Sequence, residues 1–135
     1  MTPNSSVESE SVPNEADPSR RVILVMDDEE HVADMLAEFL RGEGYITYVE
    51  YNGQRGLEKA QTLSFDLGII DIMMPSLSGE TVIATLRQIE RFRWTPFILI
   101  SAGAHPETQL AGVQFVPKPF EINSLLALIK RQLKA

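Results

Sequence analysis

Short apolar runs alternate with amphipathic helical stretches along most of this chain, and that alternation constrains the fold more than any other feature. "VILVM" (22–26) and "FDLGII" (65–70) read as strands buried on both faces. "PFILI" (96–100) is a further strand, with Pro96 at its start where no ladder donor is needed, and "VQFV" (113–116) is another. "YITYVE" (45–50) is β-rich but more polar, as suits an edge. Between them lie helical patterns. Val32, Met35, Leu36, Phe39 and Leu40 share one helix face, which stops at the glycines of "RGEGY". "NGQRGLEKAQTL" is a weaker second helix, and "GETVIATLRQIERF" (79–92) a third with Val82, Leu86 and Ile89 aligned. "FEINSLLALIKRQL" (120–133) closes the chain, with Ile122, Leu125, Leu126, Ile129 and Leu133 on its core face.

Strands alternating with helices imply right-handed βαβ units, hence a parallel sheet covered on both sides. Five strands fit an α/β, doubly wound, flavodoxin-like sheet in the order 2-1-3-4-5. The 135 residues suit one such domain, expected over 20–135. Residues 1–19, rich in Ser, Pro, Asn and Glu, hold too little apolar surface to offset ordering, and are expected to form a disordered acidic tail.

Composition narrows function. The net charge of −7 disfavours sequence-blind binding to nucleic acid or to anionic membranes, both of which need basic surface. No cysteine is present, so disulfides, thiolate zinc sites and thiol catalysis are excluded. No apolar run approaches the length of a bilayer crossing, and the N-terminus lacks the order of a signal peptide. A cytoplasmic protein with no nucleic-acid or membrane partner is expected.

Polar residues gather where the strands end. Asp27 and Asp28 follow the first strand, Asp71 the third, Ser101 the fourth and Lys118 the fifth. In a parallel sheet these ends share one edge, where open α/β sheets bind ligands. Strands 1 and 3 are neighbours in the proposed order, so Asp27, Asp28 and Asp71 share a pocket. Three carboxylates so placed repel one another unless a cation intervenes, and an oxygen-only pocket suits magnesium. An aspartate can then act as a nucleophile towards phosphorus, with Lys118 and Ser101 to neutralise and hydrogen-bond the phosphoryl oxygens.

The segments "VILVMDDEE", "LGIIDIMMPSLSG", "ILISA" and "PKPF" together resemble the signature segments of response-regulator receiver domains from two-component signalling, over roughly residues 20–134. They match in order and spacing, with 43 residues from Asp28 to Asp71 and 30 from Asp71 to Ser101. The resemblance implies that Asp71 is the phosphoacceptor and that Mg2+ is the cofactor. It implies that Asp28 and Asp71 ligate the metal directly, Asp27 through water, and Met73 through its backbone carbonyl. It further implies that Ser101 and Lys118 bind the phosphoryl group, that Phe115 is the aromatic switch, and that Pro119 follows a cis peptide. Phosphoryl transfer would come from a histidine kinase or phosphotransfer protein, with output through an unknown protein partner and no separate substrate turnover. The initial Met and the separate tail suggest a stand-alone regulator.

Blander readings compete at several positions. Glu29 and Glu30 suit a helix N-terminus by charge alone. His31 reads as a surface side chain, and Met73 and Met74 as packing residues. "RQIERFRW" reads as a solvated helix end with a partly buried Trp94 rather than a nucleic-acid face. Between strands 4 and 5 only "AGAHPETQLAG" (102–112) is available, shorter than the family usually has. A shortened or irregular fourth helix is expected there, and Pro117 is expected to end strand 5 early. That departure keeps open a phosphorylation-independent receiver-like interaction module. A magnesium-dependent phosphatase is weaker, because no second acid–base group or substrate cover is visible.

Overall fold

A computed structural model of the chain describes residues 19–103 and 110–134. Five strands form one parallel sheet: β1 (Val22–Met26), β2 (Ile46–Glu50), β3 (Leu67–Asp71), β4 (Phe97–Ser101) and β5 (Val113–Pro117). Their spatial order is β2-β1-β3-β4-β5, the doubly wound order expected. Among the described residues the helices are α1 (Glu30–Gly42), α2 (Gly53–Thr62), α3 (Gly79–Leu86) and α4 (Ile122–Leu133), with a 3-10 turn at Glu90–Phe92. The proposed tail lies outside the described residues except for Ser19. The shortened fourth helix expected over 102–112 falls mostly on residues 104–109, also outside them.

Side-chain alternation splits the sheet into two faces, and each face has its own core. Ile23 and Val25 of β1, Leu67 and Ile69 of β3, and Ile98 and Ile100 of β4 meet Ala33, Leu36 and Leu40 of α1 and Leu125, Ile129 and Leu133 of α4. The intervening Leu24, Met26, Ile70, Phe97 and Leu99 meet Ala60 of α2 and Val82, Ile83 and Leu86 of α3. Such two-sided burial is why the central strands read as unbroken apolar runs. At Gly56 a Cβ would meet the buried side chain of Met26, which would have to shift, so glycine lets α2 lie close to β1.

Three details differ from the sequence reading. The buried face of α1 is Ala33, Leu36, Ala37 and Leu40, which leaves Met35 48% exposed. The small alanines let the helix pack closely, and a pattern of large residues conceals that. The third helix stops at Leu86, and the chain continues as a 3-10 turn. Arg87 there donates to the carbonyls of Phe92, Thr95 and Ala111 at 2.9, 2.6 and 2.8 Å. Arg91 donates to the carbonyls of Ala60 and Gln61, which ties this turn to α2. These arginines bind backbone acceptors even though Arg91 and Arg93 remain exposed, as a solvated end should be, while Trp94, expected to be partly buried, is 84% exposed. Finally, Pro117 belongs to β5, opposite Ser101, instead of ending the strand early. β5 is an edge strand, and the missing N–H of a proline is tolerated there.

The rotation of α1 has a measurable consequence. Leu36→Ala is expected to lower the unfolding free energy by about 2–5 kcal/mol, whereas Met35→Ala should change it by less than about 0.5 kcal/mol. Urea titrations of the two variants measure the difference.

Candidate functional site

Strand register assembles the site. Val25 pairs with Ile69 and Met26 with Ile70, so the next step along both strands sets Asp27 beside Asp71. Alternation turns both carboxylates to the α1/α4 face, the side of Val25 and Ile69. Both are buried, while Asp28, one residue on, is exposed. Carboxylate oxygens of Asp27, Asp28 and Asp71 all lie within 4.8 Å of one another.

Lys118 follows β5 directly and reaches this cluster on the same face. Its ammonium lies 2.9 Å from Asp27 Oδ2 and 3.3 Å from Asp71 Oδ2, with only 9% of its side chain exposed. The backbone N–H of Lys118 donates to the Ser101 carbonyl at 2.8 Å, and the Lys118–Pro119 peptide is cis. Ser101 is buried and arrives from the other side of the sheet, continuing the row of Phe97 and Leu99. Phe115 lies opposite Leu99 and packs, half-buried, on the α2/α3 core. Ser101 and Phe115 thus share one face, and Asp27, Asp71 and Lys118 the other.

The loop after β3 wraps the acidic end. Met73 donates its N–H to Asp71 Oδ1 at 3.1 Å, while its side chain points to solvent and that of Met74 is buried. Met73 is therefore not the packing residue its type suggests. Gly79 donates its N–H to Ile72 O, and a Cβ there would collide with the backbone of Asp71, so α3 begins against the end of β3 only because residue 79 is glycine. Beside Asp28 lies an open cleft of ≈ 780 Å³ whose walls include Asn52, Arg55 and Ser76. His31 is exposed, as expected.

One participant escaped the sequence reading. Glu29 does more than favour the helix dipole, because its carboxylate lies 2.7 Å from Lys118 Nζ, the shortest contact that ammonium makes. Its backbone N–H in turn donates to Asp27 Oδ1 at 3.0 Å. The available signal was positional. Glu29 occupies the N-cap of α1, a place where glutamate is not a favoured residue, on the same sheet edge as Lys118.

Electrostatics follow from this crowding. Burial, and then the Asp27 charge, push the Asp71 carboxyl up to about 6 against the opposing Met73 N–H and Lys118 ammonium. For Lys118, burial alone would favour the neutral amine. The carboxylates of Asp27, Glu29 and Asp71 outweigh it, and the ammonium is held more strongly than in water. Asp27 Oδ2 has no hydrogen bond of good angular geometry despite its close ion pair with Lys118.

Known proteins agree with this architecture. Residues 23–130 match the family described as the response regulator receiver domain. The chain belongs to that family. The response regulator ArlR of Staphylococcus saprophyticus is 35% identical over 117 residues, which cover 83% of this chain and 52% of that protein. ArlR of Staphylococcus aureus is 37% identical over a stretch of the same length. The chain spans about half the length of these curated relatives. Among solved structures, the chemotaxis response regulator CheY4 of Vibrio cholerae is similar at TM-score 0.78 and 26% identity, covering 85% of this chain and 100% of that one. The receiver domain of the hybrid histidine kinase CckA is similar at TM-score 0.73 and 32% identity, covering 83% and 98%.

Receiver domains are signalling modules of two-component systems that hold Mg2+ in an acidic pocket, and the residues present here fit that ion. The donor set is three carboxylates without histidine or cysteine, it carries excess negative charge, and Asp28 opens it to water. No helix among the described residues is long and apolar enough to cross a membrane.

The raised Asp71 pKa has a direct consequence for stability without metal. A carboxyl that holds its proton more tightly when folded makes the native state lose stability as pH rises from about 4 to about 6. Asp71→Asn is therefore expected to raise the thermal midpoint at pH 7 in chelator by about 3 °C or more, with the gain vanishing at pH 4. Calorimetry at the two pH values measures it.

Proposed function

We propose that Asp71 accepts a phosphoryl group from the phosphohistidine of a histidine kinase or phosphotransfer protein, in a magnesium-dependent reaction. The observation that carries this reading is the burial of Asp71 beside Asp27, Asp28 and Lys118 at the carboxyl edge of the sheet. In the step, a carboxylate oxygen of Asp71 attacks phosphorus, the P–N bond to the donor imidazole breaks, and the imidazole leaves with the electron pair and takes up a proton. The product is an aspartyl phosphate. Asp28, Asp71, the Met73 backbone carbonyl and, through water, Asp27 would hold the metal. When bound, the metal supplies charge neutralisation at the phosphoryl oxygens.

This chain's own residues would do the rest. Lys118 pairs with the new phosphoryl oxygens, and the Ser101 hydroxyl hydrogen-bonds to them. The open cleft beside Asp28 leaves room for a donor. Ser101 and Phe115 lie on the same sheet face, so a Ser101 that turns towards the phosphoryl group changes the packing available to the ring. The two-state element would then comprise Ser101 and Phe115, read by an output protein. A near-complete switch needs a differential of about 5.5 kcal/mol between the two states. The intact acidic cluster argues against a phosphorylation-independent module.

Acetyl phosphate with Mg2+ is expected to add one phosphoryl group, measured by intact mass, and Asp71→Asn or excess chelator should reduce labelling to background. Labelling that persists in Asp71→Asn at the same stoichiometry would overturn the assignment.

A further inference from the structure

We propose that Glu29 is a positioning residue for this reaction, holding Lys118 in a displaceable ion pair before phosphorylation and releasing it to the phosphoryl group afterwards. The proposal rests on the reading of Asp71 as phosphoacceptor. An ammonium has three protons to donate, and Lys118 faces three carboxylates: Glu29 Oε1 at 2.7 Å, Asp27 Oδ2 at 2.9 Å and Asp71 Oδ2 at 3.3 Å. Two of these contacts are hydrogen bonds, to Glu29 and Asp71, and the contact with Asp27 is an ion pair without hydrogen-bond geometry. A phosphoryl group on Asp71 brings further anionic oxygens to an ammonium already enclosed by three carboxylates, so one carboxylate has to yield.

Burial decides which one. The Asp27 side chain is fully buried, and losing Lys118 would strand its charge away from water. Asp71 carries the phosphoryl group itself. The Glu29 side chain is 52% exposed and can turn into solvent with little loss. Its departure withdraws a negative charge from beside the incoming phosphate, so giving up this pair is the small cost of phosphorylation that a chain without Glu29 would be spared.

Helix capping supplies an independent observation. At α2, α3 and α4 the N-cap side chains of Asn52, Ser78 and Glu121 each accept a hydrogen bond from the backbone N–H three residues on. Glu121 shows that a glutamate can make that bond in this protein. At α1 the Glu29 side chain makes no capping bond, and its carboxylate is given to Lys118 instead.

Three variants separate this role from a general charge effect. Glu29→Gln removes the charge and weakens the contact. Glu29→Asp keeps the charge but shortens the reach. Glu30→Gln removes the neighbouring charge and leaves the contact intact. Two quantities are measured: the acylation rate of Lys118 by sulfosuccinimidyl acetate without donor, read by peptide mass, and the ratio of phosphorylated to free Asp71 at sub-saturating acetyl phosphate with Mg2+.

Both Glu29 variants are expected to raise both quantities about two- to fivefold, the range that a half-exposed ion pair supports. Glu30→Gln should leave Lys118 acylation at the parent rate. Parent-like values in Glu29→Asp, or an equal rise in phosphorylation in Glu30→Gln, would overturn the role of Glu29. Unchanged acylation in a protein that does label would overturn it as well. Failure of the parent protein to label at all would instead overturn the reading of Asp71, and this role with it.

Discussion

Two carboxylates buried side by side at the ends of paired parallel strands form the constraint on which the site depends. Asp27 and Asp71 stand next to each other because β1 and β3 are neighbours in register, and alternation turns both to one face. The charge of Asp27 makes Asp71 harder to ionise. Lys118 from the far edge of the sheet opposes that repulsion, and its own ammonium is tolerated in a nearly closed position only because carboxylates surround it. None of the three charges would be stable there alone. A site already crowded with negative charge gains from a cation and has a cation of its own waiting, the electrostatic arrangement that a phosphoryl acceptor needs.

The two cores make that arrangement rigid. Both faces of β1, β3 and β4 are covered, so the strand ends cannot splay apart to relieve the repulsion. Close approaches at Gly56 and Gly79 bring α2 against β1 and α3 against the end of β3. The rim is looser by comparison. Asp28 and Met73 face solvent, and the Glu29 side chain is half exposed. Rigid buried acids with adaptable groups around them suit the phosphoryl-accepting role proposed for this site.

The sheet also divides the proposed site between its two faces. Asp27, Asp71 and Lys118 belong to the α1/α4 side, while Ser101 and Phe115 belong to the α2/α3 side. The Lys118 N–H bonded to the Ser101 carbonyl joins the two sides through the backbone. Arg87 extends the connection by anchoring Ala111, just before β5, to the end of α3. The end of β4 is thus linked to the residue after β5, and the end of α3 to the chain just before β5, through hydrogen bonds to backbone carbonyls.

Much of this was legible in the sequence because it depends on local pattern. Apolar runs and helical spacing determined the element types, and the βα alternation determined a parallel sheet. Once the strands are parallel, Asp27, Asp28, Asp71, Ser101 and Lys118 must share an edge, because each follows a strand. Other features depended on distances between remote parts of the chain. The buried face of α1 was set by how closely Ala33 and Ala37 approach the sheet, and this left Met35 outside. Trp94 lies exposed just beyond a turn that Arg87 and Arg91 tie down through backbone carbonyls. Glu29 resembled an ordinary helix-start acid until the fold placed Lys118, 89 residues later in the chain, within 2.7 Å of it. The sequence by itself determined which groups reach the edge. Only the tertiary structure decided which of them touch, because ion pairs form through space and their geometry is set by packing rather than by spacing along the chain.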